Sequence, residues 1–302
     1  MLHNPPRMEN PTPDTEPEPA EPAAGTHTRD RARVDGYFTR VSSYWEEVYG
    51  AGSVEGEIYR DRQERALAWI DEIAPAAGAR VLELGCGAGL LSVALARRGL
   101  RVDAVDSAPA MVERTSRRVE EEGVGDGVDV GVADAHALDR ADAAYDLVVA
   151  LGLLPWVRDP QRVVGEVARV VRPGGHVLVT ADNRARATYA LDPRKNVALA
   201  PLRRRGKALL RGGAAPGPSG DGVVEPALHR AREVRAMLVR AGLAVEREQT
   251  VGFGPFTLLY RDLLDAPRAR RVNRALQRLA DRGTPMLRGT GSHYLVLARR
   301  PA

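Results

Sequence analysis

The chain has 302 residues, 44% of them hydrophobic, so it is long enough to bury a complete α/β core with further segments to spare. Its formal net charge of +4 comes from 44 basic and 40 acidic residues spread along the chain. We find no recognisable nucleic-acid-binding motif and therefore expect no nucleic-acid partner. The single cysteine, Cys86, excludes an intramolecular disulfide and a cysteine-built zinc site, which fits a cytoplasmic location.

The first 33 residues are rich in proline and glutamate and contain hardly any apolar side chains. Such a segment buries too little apolar surface to offset the entropy lost on ordering it, so we predict a disordered tail over 1–33. The chain has no apolar run of about 18 residues, and its N-terminus lacks the apolar core of a signal peptide. We therefore expect neither a membrane span nor export.

The next segment, 34–78, is unusually aromatic. Four of its side chains, Tyr37, Phe38, Tyr44 and Trp45, lie close together in sequence. We predict that the segment forms a helical lid across an open ligand pocket and that these four residues face the ligand. The alternative is that amphipathic helices simply pack on a sheet.

An apolar run, Val81 to Leu84, leads into three glycines with the spacing G-x-G-x-G, namely Gly85, Gly87 and Gly89. This pattern predicts a strand, a tight turn and a helix. A side chain at any of the glycines would separate the backbone from a ligand, so we expect a nucleotide-type ligand against main-chain N–H groups at the helix N-terminus. The dinucleotide fingerprint requires Gly or Ala where Leu90 stands, which weakens an NAD-dependent interpretation.

Two acidic residues end the next two predicted strands. Val102 to Val105 leads to Asp106, and Val128 to Val132 is followed by Asp134 and Ala135. A carboxylate at the tip of the second strand accepts hydrogen bonds from ribose hydroxyls in nucleotide-binding α/β folds. Asp106 is therefore predicted to bind a ribose.

The fourth and fifth predicted strands are 145–150 and 176–181, separated by a helix that begins at Asp159-Pro160 and stops at Pro173-Gly174-Gly175. The alternation of strands and helices over 79–181 predicts a doubly wound, mostly parallel sheet with helices on both faces. Its ligand should lie at the carboxyl ends of the strands, where Leu151 also falls.

The remaining residues, 182–302, contain a glycine- and proline-rich loop centred on 212–220 and a basic patch over 203–211 that is most often a solvated face. We predict a helix over 230–241, a strand over 243–251, a helical stretch over 267–282 and a last strand over 294–298. Phe253 and Phe256 are placed with the acceptor site.

Taken together, Glu83 followed by the three glycines, then Asp106, then Asp134-Ala135, resembles the class I S-adenosylmethionine (SAM) dependent methyltransferases. The resemblance implies a seven-stranded Rossmann-like sheet, SAM as cofactor and S-adenosylhomocysteine as product. In this family the glycine turn faces the methionine part of SAM, and the Asp-Ala pair receives the adenine edge. The positions that the resemblance assigns to cofactor binding are Glu83, Gly85, Cys86, Gly87, Gly89, Asp106, Ser107, Met111, Asp134, Ala135 and Leu151.

Such an enzyme would move a methyl group to a small-molecule acceptor, with oxygen, nitrogen and carbon all open as the methylated atom. The acceptor segments would be 34–78 and the insertions after the fifth and sixth strands. Asp182 and His229 are our candidates for a general base, because both are expected at the carboxyl edge of the sheet. His136 and His293 have weaker positional cases, and we expect no metal. A nucleotide-dependent oxidoreductase and a SAM-fold partner subunit without catalytic activity are the alternatives.

Overall fold

A computed structural model of the protein describes residues 25–193, 196, 199, 201–202, 205, 226–259 and 261–302. The first 24 residues of the predicted tail and the predicted loop over 212–220 lie outside the described residues. Of the basic patch over 203–211, only Arg205 is described.

The helices, numbered in chain order, are α1 (Gly25–Arg40), α2 (Ser42–Glu47), α3 (Val54–Ile73), α4 (Leu90–Ala96), α5 (Pro109–Glu121), α6 (Pro160–Val170), α7 (Ala187–Leu191), α8 (Ala231–Arg240) and α9 (Ala266–Asp281). The strands are β1 (Arg80–Leu84), β2 (Arg101–Asp106), β3 (Val128–Val132), β4 (Tyr145–Ala150), β5 (Val171–Asp182), β6 (Ala244–Val251), β7 (Thr257–Leu258), β8 (Arg261–Asp262) and β9 (His293–Arg299).

Seven strands form one sheet in the order β3-β2-β1-β4-β5-β9-β6. The strands from β3 to β5 pair in parallel, whereas β9 is antiparallel to both of its neighbours. The predicted doubly wound, mostly parallel sheet is therefore confirmed. Because β9 runs in the opposite direction, its first residue, His293, lies at the same sheet edge as the last residue of β5, Asp182.

Helices cover both faces of the sheet because neighbouring strand residues point to opposite sides. Leu82 belongs to a buried cluster that includes Val163 of α6 and Leu238 of α8. Val81 belongs to a second cluster that includes Ile70 of α3. Since both faces are packed, the open part of the sheet is its edge.

The helix starts follow local signals in the sequence. Asp159 caps α6 by accepting a hydrogen bond from the backbone of Arg162 at 3.0 Å, and Pro160 follows at the first helical position. Ser53 caps α3 in the same way through the backbone of Gly56, also at 3.0 Å. These caps satisfy N–H groups that have no partner within their own helix.

The N-terminal segment differs from the prediction in two respects. First, α1 begins at Gly25 and therefore includes residues 25–33, which the prediction placed in the tail. Arg31 and Asp35 of this polar helix form hydrogen bonds with Asp134 and Ser107 at the sheet edge, and composition alone does not reveal such contacts. Second, the predicted lid divides, because α3 buries Ala66, Trp69 and Ile70 in the core on one face of the sheet.

The C-terminal half also refines the prediction. β5 begins at Val171 rather than 176, with an irregular register against β4 that accommodates the Pro-Gly-Gly sequence. Between β6 and β9, the short β7–β8 hairpin and α9 replace a tight connection. Among the described residues, none of the helices combines the length and the apolar character needed to cross a membrane.

Candidate cofactor and acceptor site

The glycine turn follows β1, and all three of its glycines have positive φ, which glycine adopts without steric cost. A Cβ on Gly89 would lie 3.1 Å from Thr115 of α5, so this glycine permits close packing within the protein. A Cβ on Gly87 would meet no atom of the described residues within 4 Å, so it would project into open space. Gly87 is therefore the glycine that leaves room for a ligand above the turn.

Two of the predicted acidic residues support this turn. Glu83 is 3% exposed, lies beneath the turn, and accepts a hydrogen bond from the Ser92 hydroxyl of α4 at 2.5 Å. Burial raises the pKa of Glu83 to about 8. Asp106 accepts hydrogen bonds from the backbone N–H groups of Gly87 at 3.1 Å and Ala108 at 3.0 Å. Burial raises the pKa of Asp106 above its ordinary value, although these backbone bonds oppose the shift.

The predicted adenine edge lies next to α1. Asp134 accepts hydrogen bonds from the backbone and ring of His136 and from the guanidinium of Arg31, the last at 3.1 Å. Partial burial alone would raise the pKa of Asp134, yet these bonds to His136 hold it below its ordinary value. The hydroxyl of Ser107 donates to Asp35 of α1 at 2.6 Å. Helix α1 therefore crosses the sheet edge above β2 and β3.

The other predicted cofactor residues have different environments. Met111 is fully buried at the start of α5, and the Cys86 thiol is buried within the turn, where burial raises its pKa well above the ordinary value. Ala135 and Leu151 are partly exposed at the ends of β3 and β4. The last two therefore have surface available to a ligand.

The aromatic residues of the N-terminal segment form a continuous wall. Tyr37 stacks on Trp156 with ring centroids 5.4 Å apart, and Phe38 meets the same indole edge-on at 5.0 Å. Phe38 also contacts Trp45, which contacts Tyr59 of α3 at 5.4 Å. We call these rings the aromatic wall. It extends from the loop after β4 to α3, and it includes Trp156, which sequence reasoning missed.

The aromatic wall continues along the sheet edge to His293, the first residue of β9. Tyr59 packs against the ring of His293 at 5.6 Å, and Tyr44 contacts Trp45 at 5.5 Å. The predicted acceptor residues Phe253 and Phe256 lie elsewhere, packed with Val54 and Ile58 in a third buried cluster. Their contacts are those of core residues.

Asp182 and His229 meet only through their backbones, because the N–H of His229 donates to the carbonyl of Asp182 at 2.9 Å. The carboxylate of Asp182 instead accepts from His293 Nδ1 at 3.1 Å and lies 3.3 Å from the guanidinium of Arg186. Burial alone would raise the pKa of Asp182, yet His293, Arg186 and Arg62 lower it to about 2. The histidine beside this carboxylate is therefore His293, which follows Asp182 by 111 positions.

Arg62 of α3 is a second residue that sequence reasoning missed. It is 5% exposed, donates to the Tyr49 hydroxyl at 3.1 Å, and places its guanidinium 5.0 Å over the ring of Tyr59. Its Nε is buried without a hydrogen-bond partner within the described part of the chain. A Cβ on Gly152, just after β4, would lie 3.0 Å from this side chain. A buried cation with an unused donor here provides a place for an anionic group.

Comparison with known proteins agrees with this arrangement. The sequence model of a family described as "Methyltransferase domain" matches residues 82–179. A ubiquinone biosynthesis O-methyltransferase of Cupriavidus pinatubonensis is 32% identical over 154 residues, which cover 51% of this chain and 60% of the relative. One of Xylella fastidiosa is 37% identical over 126 residues, covering 41% of this chain and 50% of the relative. The aligned region thus spans about half the length of these curated relatives.

Solved structures agree at the level of the fold. Magnesium protoporphyrin IX methyltransferase of Synechocystis PCC 6803, with bound S-adenosylhomocysteine, superposes with a TM-score of 0.59 at 18% identity, covering 90% of this chain and 99% of that one. The fold agrees with the family match: residues 82–179 are similar to a methyltransferase domain, and they form the core of the seven-stranded, mostly parallel sheet. The oxidoreductase interpretation is not favoured.

Proposed function

We propose that the protein binds SAM along the carboxyl edge of its sheet and transfers the methyl group to the oxygen of a small, planar acceptor. The observation that carries the proposal is the order of groups along this edge. The strand order β3, β2, β1 and β4 corresponds to the residue order Asp134, Asp106, Gly87 and Arg62. Arg62 is placed with β4 because it lies beside Gly152, just after that strand. This order matches the adenine, ribose and methionine parts of one extended cofactor.

The residues fit SAM on structural grounds. Gly87 leaves open space above a turn whose backbone lies at a helix N-terminus. Arg62 carries a buried guanidinium with an unused Nε, suited to the carboxylate of the methionine part. Asp106, held by two backbone N–H groups, would receive the ribose hydroxyls. When bound, SAM supplies a methyl group activated by the positive charge on its sulfur.

The protein's own contribution is orientation. The aromatic wall provides an apolar surface of aromatic rings beside the cofactor site, so it favours a planar acceptor that packs against such rings and excludes water. Holding acceptor and cofactor in a reactive geometry contributes about 7 to 11 kcal/mol towards lowering the barrier. The curated relatives are ubiquinone biosynthesis O-methyltransferases, which supports oxygen as the methylated atom.

Isothermal titration calorimetry with SAM, S-adenosylhomocysteine and NAD tests the cofactor part of the proposal. We expect both sulfur ligands to bind and NAD to give no heat. Binding of NAD without binding of S-adenosylhomocysteine would contradict it. A labelled-methyl assay with catechol, aniline and thiophenol then tests whether transfer occurs and to which kind of atom.

Arg62→Gln tests the assignment of the methionine carboxylate. Loss of a charge-assisted hydrogen bond to a charged group costs about 1.5 to 3 kcal/mol, so we expect S-adenosylhomocysteine to bind roughly 10- to 150-fold more weakly. Arg60→Gln is a matched control, because Arg60 lies on the same helix and bonds to backbone carbonyls of 49 and 51. Equal weakening in both variants would indicate a general effect on α3 and not loss of a ligand contact.

A further inference from the structure

A buried pair of side chains, Asp182 and His293, stands beyond the proposed methionine site on the same sheet edge. Strand β4, with the methionine site, is followed by β5 and then β9. Neighbouring strands are about 4.8 Å apart, so His293 stands about 10 Å from the end of β4. This is where an acceptor would lie if the cofactor occupies β3 to β4.

Their hydrogen bond defines which ring nitrogen carries the proton. An ionised carboxylate can only accept, so His293 Nδ1 must donate its hydrogen to Asp182. The other nitrogen, Nε2, is then unprotonated in the neutral ring. It has no hydrogen-bond partner among the residues that the structure describes. Its lone pair is available to a ligand.

The surroundings of the ring keep it neutral and fixed. His293 is 6% exposed, and burial lowers its pKa below the ordinary 6.5, although Asp182 opposes the shift. Arg62 of α3 and Arg186 after β5 add positive charge nearby, which disfavours a second proton on the ring. Tyr59 packs on the imidazole, and burial raises the pKa of Tyr59 well above 10, so this phenol stays neutral. His293 is thus a neutral base at neutral pH.

We infer that His293 is the general base of the reaction, oriented by Asp182, and that it takes the proton of an acceptor hydroxyl held against the aromatic wall. This inference rests on the proposed function. The acceptor oxygen forms a bond to the methyl carbon while the carbon–sulfur bond breaks and its electron pair stays on sulfur. The hydroxyl proton passes to Nε2, so the products are a methyl ether, S-adenosylhomocysteine and a protonated imidazole that solvent later deprotonates.

The geometry distinguishes two roles. His293 is the catalytic residue, because its Nε2 meets the acceptor, whereas Asp182 is a positioning residue that holds the ring and its tautomer. Arg186 in turn lies against the second oxygen of Asp182 and keeps that carboxylate ionised. His229 has no part in this pair, since it contacts Asp182 only through the backbone.

The test compares two acceptors that differ in their need for a base. Catechol must lose a proton on methylation, whereas thiophenol is already ionised at neutral pH. In His293→Gln we expect kcat for catechol to fall at least about 100-fold, the usual contribution of a general base. Transfer to thiophenol and binding of S-adenosylhomocysteine should change less than about threefold. His176→Gln is the control, because His176 lies on β5, the strand of Asp182, but away from this edge; both reactions should be unchanged in it.

The pH profile gives an independent readout. Wild-type activity on catechol should fall on the acid side with a midpoint below pH 6.5, as His293 gains a proton, and this acid limb should vanish in His293→Gln. In Asp182→Asn the ring loses a negative neighbour, so the His293 pKa followed by NMR should decrease and the acid limb should move with it. NMR titration of the wild type requires no acceptor.

Three results would overturn the inference. One is a His293→Gln variant that methylates catechol as fast as the wild type and keeps the acid limb of its pH profile. Another is a shift of the His293 pKa, followed by NMR in Asp182→Asn, without a matching shift of the pH profile of activity. This second result can be obtained even if His293→Gln does not fold. The third is a wild-type enzyme that methylates aniline or thiophenol but not catechol. Failure of the proposed function differs from all of these, because then S-adenosylhomocysteine does not bind or no acceptor is methylated.

Discussion

The buried carboxyl of Glu83 offers a test of the reasoning about the glycine turn. In the folded protein its pKa is raised to about 8, chiefly by burial, against an ordinary value of 4.5. The folded state therefore holds a proton on Glu83 at pH values where the unfolded chain has released it. Folding stability must decrease as pH rises from 4.5 towards 8 and become independent of this group above that.

The magnitude follows from the two pKa values. Their difference corresponds to about 5 kcal/mol of unfolding free energy, of which about 4 kcal/mol falls between pH 5 and pH 9. This is a large fraction of the 5 to 15 kcal/mol that is typical of a domain. Glu83→Gln keeps an oxygen that can accept from Ser92 but cannot ionise. Between pH 5 and pH 9, we expect the unfolding free energy of the variant to decrease by about 4 kcal/mol less than that of the wild type.

Urea unfolding followed by far-UV circular dichroism, at constant ionic strength and at several pH values, measures the effect. Asp129→Asn is the control, because Asp129 is an exposed carboxyl on the nearby strand β3. Parallel stability profiles for the wild type and Glu83→Gln would refute the argument that the carboxyl beneath the turn is protonated in the folded state.

Two further predictions concern cofactor binding. Gly87→Ala should weaken S-adenosylhomocysteine binding at least tenfold by calorimetry, because its Cβ enters the ligand space, and should lower stability by only about 1 to 2 kcal/mol from its positive φ. Gly89→Ala should instead lose more stability, since its Cβ meets Thr115. Equal dissociation constants for the wild type and Gly87→Ala would contradict the assignment of open space above Gly87. Asp106→Ala should weaken the same ligand by about 1.5 to 3 kcal/mol, and an unchanged affinity in a folded variant would argue against the ribose role.

The sequence by itself determined the class of fold and predicted which residues line the proposed cofactor site. Gly85 follows β1, Asp106 ends β2 and Asp134 lies two residues beyond β3, and the carboxyl ends of parallel strands meet at one edge. A local pattern therefore places these residues together without knowledge of long-range contacts. Boundaries were less predictable: Arg31 and Asp35 of α1 bond to Asp134 and Ser107 at the sheet edge, and composition says nothing about those partners.

Only the tertiary structure placed the residues of the proposed acceptor site and the arginine proposed for the methionine carboxylate. His293 meets Asp182 because β9 is antiparallel to β5 and brings its first residue to the carboxyl edge, after an excursion through α9. Arg62 enters the site because α3 packs across that edge, which leaves its guanidinium buried beside Gly152. Such contacts depend on how elements far apart in sequence pack, and no short motif encodes that geometry.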